Sequence, residues 1–307
     1  MRPDAASPTA PRSGRAGEPS TVRSGLAWGF LGIVSFSASL PTARLATLHL
    51  DPWFVSLGRA LVAGTLAALL LLWRRPRLPA GTEWRSLALV VVGVVLGFPV
   101  LSTLALRDMP AAHASVIVGT APLLTAAVAA LIARERHGIA FWLASAAGCA
   151  LVVGFALWRA GGAGVSLRLA PGDALMLLAV VAVAFGYVGG GKAARTLGGW
   201  QTICWALLLA LPLLPLPVWW TRPAGPVPAA SWAAFGYQSL VSMFLGFFAW
   251  YRGLALGGIA RVGQVQLLQP FLSLGMSALL LGEAVPPALW LVAAAVVACV
   301  FAARRAA

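Results

Sequence analysis

Residues Trp250 to Glu283 read WYRGLALGGIARVGQVQLLQPFLSLGMSALLLGE, an apolar helix interrupted by Gln264, Gln266, Gln269 and Pro270. The stretch has an echo earlier in the chain. Moved back by 148 positions (270 − 122), it places Pro270 on Pro122, Leu272 on Leu124, Ser273 on Thr125, Leu279 on Leu131 and Glu283 on Glu135. The match runs on through Trp290 on Trp142 and Leu291 on Leu143 without a gap. Agreement over that length in one register marks an internal repeat.

The composition says what solvent surrounds it. Sixty per cent of the residues are apolar, ten per cent are charged and the mean hydropathy is +0.89, which leaves too little charge to clothe a soluble surface. Most of the chain is therefore read as lying in lipid. Ten stretches approach the roughly 20 apolar residues that a bilayer span needs: about 25–43, 52–73, 86–106, 111–133, 139–157, 174–191, 199–220, 231–251, 258–281 and 286–303. The net charge of +14 could suggest nucleic acid, but the charges are sorted by side. With the N-terminus in the cytoplasm, most Lys and Arg fall in cytoplasmic segments. Outside are only Arg44, Arg107, Arg159, Arg168 and Arg222, and Arg59 lies within a span. That is the positive-inside bias, and it makes both termini cytoplasmic. Most of the 13 tryptophans sit near span ends, as headgroup-level anchors do.

The predicted fold is all-α: ten transmembrane helices arranged as two five-helix repeats. Residues 1–23 read as a disordered cytoplasmic tail, 24–158 as the first repeat, 159–172 as a Gly-rich connecting loop and 173–305 as the second repeat. An offset of 148 residues contains five spans, and five is odd. The copies are then inverted, the arrangement from which many transporters build a midplane site between two halves. A rival reading takes the first span as a cleaved signal peptide ending at Ser37-Ala38-Ser39, but cleavage would orphan the repeat. Cys149, Cys204 and Cys299 sit singly in three spans, so neither a disulfide, a metal site nor a cofactor is expected.

Several residues carry candidate roles. Gln266, Gln269, Ser273 and Ser277 share one helical stripe, and Pro270 frees the carbonyl of Gln266. Two accounts stand: interhelical hydrogen bonding, or the wall of a wet substrate site. The matching positions Val118, Ala121, Thr125 and Ala129 are mostly apolar, so packing within the repeat does not itself demand glutamine. Arg59 either faces the cavity and attracts an anionic group, or snorkels to the outer interface. His113, near an outer end, is the one candidate for proton coupling. Glu135 and Glu283 read as structural helix ends, each accepting hydrogen bonds from the first amides of the helix that follows it, and Pro122 and Pro270 as structural kinks. Gly189, Gly190 and Gly191 make the sixth helix the weakest by propensity.

The paired patterns AAHASVIVGTAPLLTAAVAALIARE and GLALGGIARVGQVQLLQPFLSLGMSALLLGE, each ending in Glu and followed by a further span, resemble the two EamA-type repeats of the drug/metabolite transporter superfamily. The likeness covers nearly everything from 25 to 305. It implies a permease of the bacterial inner membrane, often an exporter of amino acid-like or drug-like metabolites, with a cavity lined by spans one, three, four, six, eight and nine. Carried onto this chain, it points to Gln266, Gln269, Ser273, Thr125, Ser242 and Trp250 as substrate-binding residues. The partners expected are a small-molecule substrate and the lipid bilayer, with a homodimer left open and no nucleic acid. A membrane enzyme is disfavoured by the lack of clustered Asp, His or Ser. A non-transporting scaffold would not require a polar stripe in the membrane core.

Overall fold

A computed structural model describes residues 19–108, 117–135, 137–161, 171–281 and 288–306. Its described residues form helices and no strands. The helices group into ten rods, several of them segmented. Rod α1 joins Pro19–Ser37 to Ser39–Thr47, and α2 is Pro52–Arg74. Rod α3 runs from Thr82–Val90 through Val91–Gly97 to Phe98–Asp108. Rod α4 comprises Ala121–Val128 and Ala129–Ala133, α5 is Ile139–Gly161 and α6 is Pro171–Leu197. Rod α7 is Gly199–Ala210 with the short pieces Leu211–Leu213 and Pro215–Trp220. Rod α8 joins Ala229–Tyr237, Gln238–Leu245 and Gly246–Gly257. Rod α9 joins Ile259–Gly263, Gln264–Leu268 and Gln269–Leu281, and α10 is Ala288–Ala306. Five stretches, 20–47, 52–74, 82–105, 171–197 and 229–257, are long and apolar enough to cross a bilayer as they stand.

Some boundaries differ from the sequence reading. The described part of the first rod begins at Pro19, so helix reaches into the segment read as tail. The sixth rod is continuous over 27 residues despite the run Gly189-Gly190-Gly191. Gly189 lies against Leu89 and the Ser86 carbonyl, Gly190 against the Tyr251 ring and Gly191 against Ile259, so close packing outweighs weak propensity. The seventh rod breaks at Pro212, Pro215 and Pro217.

Packing follows the repeat. Rod α1 packs on α8 and α3 on α6, α2 on α7, α5 on α10 and α4 on α9. Adding five to each rod number, counted round the ten, exchanges the first two pairs and carries each of the other three onto itself, as a pseudo-twofold requires. The sense of threading comes from the ends. Glu135, just past the end of α4, meets Ile259 and Ala260 at the start of α9, so equivalent rods run in opposite directions. At the same face Gly25 near the start of α1 touches Gly253 and Gly257 at the end of α8. Where rods cross, glycine lets backbones meet: a Cβ on Gly93 of α3 would sit 2.2 Å from the Ala182 carbonyl oxygen and 2.8 Å from Gly186 of α6.

The inversion preserves a local irregularity. Val91–Gly97 and Gln238–Leu245 are both π-helical. In α3 the Phe98 amide donates to the Gly93 carbonyl, and in α8 the Gly246 amide donates to the Val241 carbonyl. Those two bonds are related by the same shift of 148 (246 − 98 and 241 − 93). Pro99, which lacks an N–H, follows the first widened turn, but Phe247 stands at the matching position in the second. The widening therefore does not need the proline.

Candidate functional site

The middle of α9 departs from a regular helix. Pro270 cannot bond to the Gln266 carbonyl, and the five residues Gln264–Leu268 tighten into a 3-10 helix. The freed acceptor is used locally, since the Gln269 amide donates to the Gln266 carbonyl. The side chains are not. Gln264 is 1% exposed, and neither its amide nitrogen nor its oxygen has a hydrogen-bond partner. Gln266 is 6% exposed with Nε2 unpartnered, and Thr125 on α4 is fully buried with Oγ1 unpartnered. Interhelical glue would have paired these atoms. Leaving a buried polar group unmade costs about 1–3 kcal/mol each, a cost that a fold bears where a ligand or water completes the set.

Gln266 and Thr125 lie close together. Gly263 separates them: a Cβ there would lie 3.5 Å from Thr125 Cγ2 and 4.0 Å from Gln266 Nε2. Beside Gln266, the residues Gln269, Pro270 and Ser273 of α9, Val118, Gly119 and Pro122 ahead of and in α4 and Val152 of α5 line with it a small recess of about 30 Å³ that opens to the surroundings. The recess thus joins Gln266, Gln269 and Ser273 with both repeat prolines. The side chain of Ser277, and His113 and Glu283 altogether, lie outside the described residues.

The other sequence candidates stand elsewhere. Trp250 is fully buried between Tyr187, at 5.2 Å between ring centroids, and Phe36, at 6.3 Å, over the backbone of Gly32, and its Nε1 has no partner. Ser242 is paired, its hydroxyl 2.7 Å from that of Ser39 on α1. Arg59 of α2 donates from Nη1 to Gln238 Oε1 at 2.7 Å, while Gln238 Nε2 donates to the Ser39 carbonyl and to Thr42 Oγ1. Gln238 is fully buried and went unnoticed in the sequence. Its signal was present: like the glutamines of α9, it has an apolar counterpart, Val90, in the other repeat (238 − 148). A hydrogen bond to a charged group contributes about 1.5–3 kcal/mol, close to the roughly 2.5–3.5 kcal/mol that an arginine costs at the centre of a span. The knot therefore tolerates the guanidinium without neutralising it.

One face is tied shut. Glu135 accepts from Ile259 N at 3.0 Å, Ala260 N at 2.9 Å and Arg195 Nη2 at 2.6 Å. The helix that it caps is α9 of the other repeat, not the following helix as the sequence suggested. The reason is local: Gly258, at φ +88°, has no side chain to cap α9, and the Glu135 carboxylate fills that role next to the positive end of the helix. His137 Nε2 lies 3.7 Å from Glu135 Oε2. Burial holds this imidazole below its ordinary pKa, against the pull of Glu135. The charge facing the carboxylate at neutral pH is thus Arg195. Nearby, Glu83 accepts from Arg77 at 2.6 Å and from the Thr196 hydroxyl at 2.7 Å, joining the start of α3 to the end of α6.

Comparison with known proteins agrees with this architecture. The EamA-like transporter family matches twice, over residues 23–157 and 170–304. A Bacillus subtilis (strain 168) protein described as the uncharacterized transporter YdeK is 48% identical over 286 residues, covering 90% of this chain and 96% of that one. A protein crystal structure at 22% identity shares the fold with a TM-score of 0.75, over 92% of this chain and 96% of that one. Ten packed apolar rods, a duplicated inverted design and a family match to each copy lead to one conclusion: this multi-pass membrane protein belongs to the EamA-like transporter family.

Proposed function

We propose that the chain is an inner-membrane permease that moves a small metabolite, amino acid-like or drug-like, out of the cell by alternating access of its two repeats. The observation that carries this reading is the unpartnered amide nitrogen of Gln266, which lines the recess at the break in α9 together with Gln269 and Ser273, with the unpartnered Thr125 hydroxyl close behind it. A substrate with neutral donors and acceptors completes that set, and the apolar lining at Val118, Pro122 and Val152 takes its hydrocarbon part. Both termini are cytoplasmic in this reading, and the face bearing Glu135 is the cytoplasmic one, closed here by the cross-repeat cap.

The test is flux into proteoliposomes over a panel of amino acids, nucleosides and cationic drugs. Replacing Gln266→Leu together with Gln269→Leu is expected to lower the flux of the transported member by about tenfold or more, the rate equivalent of losing about 1.4 kcal/mol, while the protein keeps its melting temperature. A folded double variant with normal flux would sink the reading. The coupling is tested in the same vesicles. The described acids lie at rod ends or in caps, among them Asp51 at the start of α2, Glu83 and Glu135. Flux is therefore expected to be the same with and without an imposed pH gradient, and acceleration by the gradient would identify a proton antiporter.

A further inference from the structure

We propose that the knot around Arg59 is a second recognition site, specific for a carboxylate or phosphate group. Three rods build it: α2 brings Arg59, α8 brings Gln238 and α1 brings Ser39 and Thr42. Gln238 is held from behind, so its carbonyl oxygen presents a fixed acceptor to one guanidinium nitrogen. That acceptor is neutral. Among the described residues no carboxylate pairs with Arg59, and Arg59 Nε is buried without any hydrogen-bond partner. A planar fork of five donors has thus been immobilised inside a span with one donor engaged and its charge unopposed. If Arg59 served only to bridge α2 and α8, an uncharged donor would do so without the cost of placing a cation there. Arg59 is only partly buried as a residue, and the sealed part of its fork is Nε. An oxyanion accepting from the terminal nitrogens supplies the missing charge, and a shift of the side chain that uncovers Nε supplies the missing acceptor.

The anion comes from one of two sources: an acidic group on the transported molecule, or the phosphate of a lipid headgroup at the outer half of the bilayer. The first deepens the permease reading and rests on it. The second does not.

Thermal unfolding of the full-length protein distinguishes them. In lipid-free detergent at constant chloride, benzoate is expected to raise the melting temperature where benzamide does not, with inorganic phosphate as a second probe. In nanodiscs the comparison is phosphatidylglycerol against phosphatidylcholine. A response to the small anions assigns the site to cargo, and a response to phosphatidylglycerol alone assigns it to a headgroup. Protein indifferent to every anion overturns the proposal. Arg59→Gln is expected to weaken the anion response about tenfold or more, since it removes the charge. Gln238→Glu sets a carboxylate beside the guanidinium and pre-empts the ligand, whereas Gln238→Ala frees Arg59 and leaves the response at least as strong. Equal loss in all three variants means a structural knot, and overturns it. Should benzamide bind as well as benzoate and lose affinity only when Gln266 is replaced, the permease reading survives and the anion site does not.

Discussion

Gly93→Ala is expected to prevent stable folding or to lower the melting temperature strongly. The new Cβ would sit 2.2 Å from the Ala182 carbonyl oxygen and 2.8 Å from the backbone of Gly186. Those neighbours are main-chain atoms of α6, with no rotamer to change, so the rods must separate. Overpacking in a core costs about 1–3 kcal/mol when side chains can adjust, and here they cannot, which puts the expected loss at the top of that range or beyond it. Gly236→Ala is the control. It lies in α8 with nothing within 4 Å of its would-be Cβ. There the better helix propensity of alanine, up to about 1 kcal/mol, should leave the protein as stable or more so. Melting curves in detergent read both, and a Gly93→Ala protein that melts with the wild type would show that α3 and α6 do not cross this closely.

Removing the Glu135 carboxylate should open the face that it closes. Glu135→Ala strips the cap from Ile259 and Ala260 and leaves Arg195 unpaired. Loss of a cap costs about 0.5–2 kcal/mol, and the exposed pair to Arg195, 42% accessible on the arginine side, adds less than about 1 kcal/mol. A loss near 1.4 kcal/mol from the closed state multiplies the open population about tenfold. The measurement is maleimide labelling of Val262→Cys, a fully buried position on α9 just behind the cap, in protein whose three native cysteines are replaced by alanine. Labelling is expected to rise about tenfold in Glu135→Ala and by much less in Arg195→Ala, whose contribution is solvent-screened. Unchanged labelling in Glu135→Ala would mean that the carboxylate does not hold that face.

These two cases show what a linear reading could and could not reach. The repeat was legible because Pro122 and Pro270, Glu135 and Glu283, and the tryptophans that follow them recur at one spacing. The odd number of spans between copies then dictated opposite threading, which the meeting of Glu135 with Ile259 displays. The polar stripe on α9 was legible as well, since an amide in an apolar helix is conspicuous. What escaped was long-range partnership. Glu135 was assigned to the nearest helix start, Gly138, because spacing along the chain cannot reveal that Gly258, 123 positions away (258 − 135), leaves a barer one. Gly189, Gly190 and Gly191 looked like weakness because propensity is local, while the Tyr251 ring that covers Gly190 is not. Ser242 was named as substrate-binding, with nothing in the sequence to pair it with Ser39, and Gln238 was overlooked between Tyr237 and Ser239.

The widened turns in α3 and α8 carry a mechanical corollary. Each stores a residue beyond what an ordinary turn of α-helix holds, so tightening one would screw everything past it through about 100° and advance it by about 1.5 Å. Gln238 opens the widened turn of α8, so such a twist there would carry the acceptor of Arg59 out of line. Since the copies are upside down to each other, the two turns sit at mirrored depths, and unwinding one while winding the other would be a single reversible stroke of the same machine.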